Sequence, residues 1–251
     1  MLVPERRRRV LAHVQRHGSA QVGRLAAELG VSTWTVRRDL AELEHDGRVI
    51  RTHGGAVVRP PEAGRPPAPA DEQAAKDAIA ATAAELIADD TTVMLLGGST
   101  TQALVPYLTH RRLTVVTNGL EIAAGLKDAE QVTLVLLGGY LHREQMTLLG
   151  PMTESSMGDL HVDVMVGGAW GIDPRAGITG AKIVQAGYHH RMLDRTQRLV
   201  VLADHTKFGR VGPTVLAALD QVDTVVTDSV TPRQTVADVR SAGPEVVRAP
   251  A

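Results

Sequence analysis

The run Gly97-Gly98-Ser99-Thr100-Thr101 sets two glycines and three hydroxyls in five consecutive residues. Glycine lets a backbone approach a ligand closely, and a helix N-terminus offers unpaired N–H groups to an anion. The hydroxyls of Ser99, Thr100 and Thr101 add donors. The spacing is not that of a P-loop, since GxxxxGK[ST] is absent. A helix cap with a tight turn is the plainer alternative. A second chemically suggestive group lies upstream, where Ser32, Thr33, Trp34, Thr35, Arg37 and Arg38 fall within seven residues. Arginine binds guanine bidentately or holds a phosphate, and threonine meets a base edge or a thymine methyl. Such a set at the start of a helix suits a DNA major groove.

The elements that would carry the upstream group are short helices. Glu5–His17 reads as a first helix, with Val10, Leu11 and Val14 at helical spacing and Gly18 ending it. Gln21–Leu29 reads as a second, with Val22, Leu25, Ala26 and Leu29 on one stripe and Gly30 as its stop. Ser32 is a good N-cap for a third helix from Thr33 to about Glu44, whose Val36, Leu40 and Leu43 face inward. Two short helices joined by a tight glycine turn describe a helix-turn-helix. After Asp46-Gly47, the run Arg48–Val58 alternates like a hairpin. That hairpin would be a wing, with Arg51 and His53 able to track a phosphate backbone. A small helical domain that binds another protein is the alternative at this point.

Charge and composition divide the chain. Residues 1–59 hold 11 Lys+Arg against 6 Asp+Glu, and the remainder holds 16 against 22. A basic head on an acidic body implies that only the head meets a polyanion. Arg59–Pro69 contains five of the 13 prolines, which block helix interiors and sheet ladders. We therefore expect a head over residues 1–58, an extended linker over 59–72 and a second domain over 73–251. Aromatic residues make up 2%, so the core must be aliphatic. The absence of cysteine excludes disulfide scaffolds, thiolate metal sites and cysteine nucleophiles. No apolar run approaches the roughly 20 residues that span a bilayer, and the opening residues lack a signal peptide's apolar stretch. A cytoplasmic protein is expected, with no membrane partner.

From Asp71 onward, short apolar strands alternate with helices. Gln73–Ala88 is an alanine-rich helix. Strands are expected at Thr92–Leu96, Thr114–Thr117, Val132–Leu137, Asp163–Val166, Arg198–Ala203 and Asp223–Thr227. Helices are expected from the Gly97 turn to Tyr107, from Gly119 to about Lys127, over Lys182–Thr196 and from about Pro232. This order implies an α/β fold with a mostly parallel, Rossmann-like sheet covered on both faces. Ligands of such sheets sit beyond the carboxyl ends of the strands, which here are rich in Gly, Ser, Thr and Asn.

The stretch Gly30–Leu40 followed by His53-Gly54-Gly55-Ala56 closely resembles the N-terminal signature of the DeoR family of bacterial transcription regulators. The body resembles the family's C-terminal domain across most of its length. The matching pieces include Gly98-Ser99-Thr100-Thr101, Thr114–Asn118, Leu137-Gly138-Gly139, Gly171-Ile172-Asp173, Gly177-Ile178-Thr179 and Leu202–Gly209. The resemblance implies a repressor with a winged helix-turn-helix that binds double-stranded operator DNA. It also implies an effector domain, similar in fold to ribose-5-phosphate isomerases, that senses phosphorylated sugars or related metabolites. Gly98, Ser99, Thr100 and Thr101 would then cradle a phosphate, Asn118, Gly139 and Gly171 would line the pocket, and Lys207 would supply a cation. Family members are often dimers or tetramers. Trp34 stands where members vary, and either tunes sequence choice or packs.

The departures carry information. Members often have Asp at the position of Leu96, Asp or Asn near Trp170, and Glu near Gln185. Loss of those carboxylates argues against isomerase chemistry, which needs an acid or base. It also argues for an altered grip on sugar hydroxyls. Trp170 would narrow the pocket, stack on a ring or fill core. Asp204 would line the pocket or N-cap the turn before Lys207. His189-His190 is mid-helix with its rings on different sides, so neither a metal nor a catalytic residue is expected, and no cofactor. Two further readings stand beside the regulator: a sugar-phosphate isomerase with a fused DNA-binding head, and a regulator whose body only oligomerises.

Overall fold

The structure is a computed structural model that describes residues 6–7, 9–10, 13–14, 19–45, 49–52, 55–58, 70–158, 160–181 and 186–250. The chain divides into two compact units, Met1–Gly64 and Arg65–Ala251. The expected linker falls partly on residues 59–69, which lie outside the described residues. Its last three residues are not linker, because a helix begins at Ala70.

In the first unit, β1 (Ser19–Gln21) precedes helix Val22–Leu29 and helix Thr33–His45, and β2 (Val49–Thr52) and β3 (Gly55–Val58) follow. Residues 6–7, 9–10 and 13–14 of the expected first helix are helical. Gly30 ends helix Val22–Leu29 at φ +63°, a left-handed conformation that costs glycine little. Val10, Val14, Leu25, Val36, Leu40 and Ala56 make the small core. The sheet runs β1-β3-β2 and is antiparallel throughout, with Ala20 opposite Ala56 and Arg51 opposite Ala56 on the other side. β1 was not expected, since three residues reading Ser-Ala-Gln carry no strand pattern.

The second unit is built on seven strands, β4 (Thr91–Leu95), β5 (Leu113–Thr117), β6 (Val132–Leu136), β9 (Val162–Gly168), β12 (Thr196–Leu202), β14 (Thr224–Thr227) and β15 (Glu245–Arg248). They lie in the order β15-β14-β12-β9-β4-β5-β6. Every pairing in this sheet is parallel, which confirms the expected α/β class. Successive strand residues point to opposite faces. Val93 and Leu95 of β4 therefore join one core with Ile79, Ala83, Leu104 and Ile122. Met94, between them, joins the other with Val116, Met165, Tyr188 and Met192.

Several elements differ from expectation. The helix after β4 is two pieces, Ser99–Gln102 and Val105–Leu108. Pro106 explains the break, because its ring cannot donate to the Gln102 carbonyl and would clash with it. The helix expected over Lys182–Thr196 is described over Ala186–Leu193, and Thr196 already opens β12. A hairpin of β7 (Tyr140–His142) and β8 (Thr147–Leu149) leads into helix Pro151–Ser156. A second antiparallel sheet joins β10 (Gly171–Asp173), β11 (Gly177–Gly180) and β13 (Thr214–Ala217). Helix Arg233–Ser241 closes the unit before β15. Among the described residues, no helix is long and apolar enough to cross a membrane.

Candidate functional site

β4 and β9 lie side by side and parallel, so their carboxyl ends open on the same edge of the sheet. The chain leaves β4 at Leu96 and turns through Gly97-Gly98 into helix Ser99–Gln102. A Cβ on Gly97 would lie 2.1 Å from Thr147 Cγ2, so only glycine lets the turn sit this close to β8. The Gly97 N–H donates to Asn118 Oδ1 at 3.1 Å, and Asn118 Nδ2 donates to the Leu148 carbonyl at 3.1 Å. Thr117 Oγ1 adds a bond to the Leu95 carbonyl at 2.7 Å. The turn is thus fixed from the end of the neighbouring strand.

A cleft of about 410 Å³ opens beside this turn. Gly98, Ser99 and Thr100 form one part of its wall, and Lys207, Arg210 and Trp170 another. The Arg210 guanidinium carbon sits 5.9 Å from the centroid of the Trp170 ring. Trp170 is 45% exposed, which rules out the core role considered for it. Leu96, the position where the resemblance leads us to expect a carboxylate, is a buried lining residue of the cleft. Gln185 lies outside the described residues.

Asp204 does both things considered for it. It lines the cleft, and it accepts from the Thr206 N–H at 2.9 Å as N-cap of the short turn His205–Lys207. Lys207 Nζ lies 3.6 Å from its Oδ2. Burial pushes the Asp204 carboxyl up, but the Thr206 hydrogen bonds and the charges of Lys207 and His205 outweigh it and hold it below the usual range. His189 also faces the cleft. Burial, with the neighbouring charge of His190, holds its pKa down at about 4, so the ring is neutral near pH 7. Among the described residues no cluster of three or more His, Asp or Glu is placed to hold a metal ion.

The structure therefore gathers Gly98, Ser99, Thr100 and Lys207 of the expected pocket in the cleft lining, and leaves the other four residues out of it. Thr101 is fully buried, its hydroxyl without a hydrogen-bond partner. Asn118 is fully buried and spends its amide on the backbone of Gly97 and Leu148. Gly139 is a packing position, where a Cβ would lie 2.3 Å from Thr153 Oγ1 and 2.6 Å from the Leu149 carbonyl. At Gly171 a Cβ would lie 2.2 Å from the Arg210 carbonyl. None of these four lines the cleft.

Lys76, Arg210 and His189 also line it and were not among the residues expected there. For Lys76 the signal was available, since it shares a helical face with the buried Ile79, Ala80 and Ala83.

In the first unit, Thr33, Trp34, Arg37 and Arg38 are exposed on helix Thr33–His45, while Val36 and Leu40 are buried beneath them. Ser32 Oγ accepts from the Thr35 N–H at 3.1 Å and shares a 2.9 Å bond with the Thr35 hydroxyl, as an N-cap should. Trp34 is 67% exposed, with the Arg38 guanidinium 5.7 Å from its ring centroid, so it is not a packing residue. Arg51 lies on β2, and His53 lies outside the described residues. Arg6 and Arg7 are not free for a phosphate. Arg6 grips the buried Asp39 at 2.5 and 3.1 Å, and Arg7 reaches the same carboxylate at 3.4 Å.

The chain matches two family models. The DeoR C terminal sensor domain matches residues 71–229, and the DeoR-like helix-turn-helix domain matches residues 6–61. Among its relatives, the transcriptional repressor AccR of Agrobacterium fabrum is 35% identical over 83% of this chain and 83% of its own length. The HTH-type transcriptional repressor GlcR of Bacillus subtilis is 32% identical over 95% of this chain and 93% of its own. The glycerol-3-phosphate regulon repressor of Escherichia coli is 28% identical over 91% and 92%. Among solved structures, ribose 5 phosphate isomerase A from Neisseria gonorrhoeae is 14% identical, with a TM-score of 0.40 over 59% of this chain and 56% of that one.

Proposed function

From a chain that belongs to the DeoR family of transcription regulators, we propose a repressor that binds operator DNA through residues 1–58 and senses a phosphorylated sugar or related anionic metabolite through residues 73–251. The observation that carries the sensing half is the cleft at the carboxyl end of the parallel strands, which Ser99 and Thr100 line together with Lys207 and Arg210. Hydroxyls and cations lining one cleft suit an anion with further polar groups. The names of the relatives support the same reading, since they are repressors and one serves a glycerol-3-phosphate regulon.

The DNA half rests on the exposed Thr33, Trp34, Arg37 and Arg38 at the start of a helix whose other face is core. The first turns of such a helix enter the major groove, and β2–β3 would lie along the backbone with Arg51. We read the protein as a cytoplasmic homodimer or homotetramer, because paired heads match paired half-sites. We read the cleft as a sensor and not a catalyst. Its lining carboxylate, Asp204, is held ionised by Thr206 and Lys207, which leaves it poorly placed to shuttle a proton. Effector and operator must then oppose each other reciprocally.

The test is an operator-binding assay with the full chain on DNA upstream of its own gene. Sugar phosphates and their unphosphorylated forms are added in turn. Release by phosphorylated compounds alone is expected, and Ser99→Ala with Lys207→Ala should abolish it. Specific binding that survives deletion of residues 1–58, or release by unphosphorylated sugars equally well, overturns the reading.

A further inference from the structure

Lys76 is almost wholly withdrawn from solvent, at 2% exposure, a burial shared with the aliphatic core. It lies in the second turn of helix Ala70–Glu85, which packs against helix Ser99–Gln102. It lines the same cleft as Ser99 and Thr100. Its ion-pair partner is Glu72 on the preceding turn, whose Oε2 lies 3.6 Å from the ammonium, longer than a direct hydrogen bond. Glu72 is itself 37% exposed.

An (i, i+4) Glu–Lys pair usually sits on a solvated helix face, where both charges keep their water. Here the geometry is lopsided. The carboxylate is partly in water and the ammonium is not, so the burial cost of the ammonium is only partly offset. The rest of the cleft deepens the imbalance. Lys76, Lys207 and Arg210 are its lining cations, and Asp204, already engaged by Thr206 and Lys207, is its one lining carboxylate among the described residues.

We infer that Lys76 is an anion-binding residue of the cleft, meeting a negatively charged group of the effector while Glu72 competes for the same ammonium. The inference rests on the sensing cleft proposed above and adds a residue from a helix that no ligand motif marks. It also gives the effector a route to the helix that opens the second unit. An anion drawn to Lys76 weakens its hold on Glu72, in the first turn of that helix.

The competition predicts effects of opposite sign. Inorganic phosphate is titrated into the full chain at fixed ionic strength, and binding is read by thermal shift. Lys76→Met should weaken phosphate binding about tenfold, the loss of one charge-assisted contact. Glu72→Gln, at a partly exposed position that leaves the core intact, should tighten it by about threefold, as expected from removing a competing charge of modest strength. A purely structural pair would move both variants the same way. Equal phosphate binding by wild type and Lys76→Met overturns the inference, and so does weakening by Glu72→Gln. If Ser99→Ala weakens binding while Lys76→Met does not, the sensing cleft stands and Lys76 is excluded from it. If the wild-type chain does not bind phosphate at all, both fall together.

Discussion

The amide of Asn118, at the end of β5, accepts from the backbone N–H of Gly97, at the end of β4, across 3.1 Å. Its nitrogen simultaneously donates to the Leu148 carbonyl at 3.1 Å. One buried side chain therefore holds the turn before Ser99 and the strand of the β7–β8 hairpin behind it. Asn118→Ala leaves the Gly97 N–H and the Leu148 carbonyl unpaired. Stability of the second unit should fall by about 1–3 kcal/mol, measured by urea unfolding. Phosphate affinity should fall with it, although Asn118 does not line the cleft. Unchanged affinity in a destabilised variant would show that the turn holds its shape unaided.

Trp34 and Arg38 face each other at 5.7 Å on the exposed side of helix Thr33–His45, with Arg37 exposed beside them. Arg37→Ala should cost about 1–3 kcal/mol of operator affinity if the residue reads a base, and the loss should be confined to one position of the site. If Arg37 holds only a phosphate, every sequence should lose equally and the salt slope should fall by about one. Competition binding with point-substituted operators at two salt concentrations separates the outcomes. Trp34→Ala should raise the mobility of Arg38 and relax sequence preference more than it lowers overall affinity.

The parallel sheet was legible because its strands are short β-branched and aliphatic runs, some with glycine close behind, as in Thr114–Thr117 and Val132–Leu137. β10, β11 and β13 were not, because they are three or four residues long, β10 and β11 carry glycines, and β13 pairs with β11 at long range, Gly180 with Thr214. Cleft lining was readable where residue type and strand end coincide, at Gly98, Ser99, Thr100 and Lys207. Residue type did not foretell the burial of Thr101 and Asn118, whose polar groups look like ligand donors but lie outside the cleft lining. Lys76 was hidden for the converse reason. A Glu–Lys pair in an alanine-rich helix reads as solvated surface, and only its phase with Ile79 and Ala83 shows that it faces inward.

His189 gives the second unit a pH dependence with a definite sign. Burial holds its folded pKa at about 4, below the ordinary 6.5. Between those values the unfolded chain binds a proton that the folded chain refuses. Stability is therefore complete above pH 6.5 and is lost as pH falls toward 4, by up to about 3 kcal/mol at 1.36 kcal/mol per pKa unit. Asp204 and Asp228 are pushed up by burial but held below 3.8 by hydrogen bonds, from Thr206 to Asp204 and from His205 and Thr231 to Asp228. Their losses come at lower pH. Urea unfolding of the full chain at pH 7, 6 and 5 should show the decline, and His189→Gln should flatten it. An equal slope in both proteins would assign it elsewhere.

Gly98 and Gly171 were both expected to touch an effector, but only Gly98 lines the cleft. Around Gly98 the nearest atom to an added Cβ is Thr101 Oγ1 at 3.9 Å, and the backbone there is extended, so Gly98→Ala should fold normally. Any loss of phosphate affinity in that variant then reports the wall of the cleft itself. At Gly171 the added Cβ would strike the Arg210 carbonyl at 2.2 Å, a backbone atom that can yield only by moving its whole segment. Gly171→Ala should therefore cost about 1–3 kcal/mol of stability and carry Arg210 away from Trp170. Tryptophan fluorescence reports that displacement, because Trp170 sits under the Arg210 guanidinium while Trp34 lies in the other unit. If Gly171→Ala keeps wild-type stability and fluorescence yet loses phosphate binding, the glycine faces the ligand directly and the packing account of it is wrong.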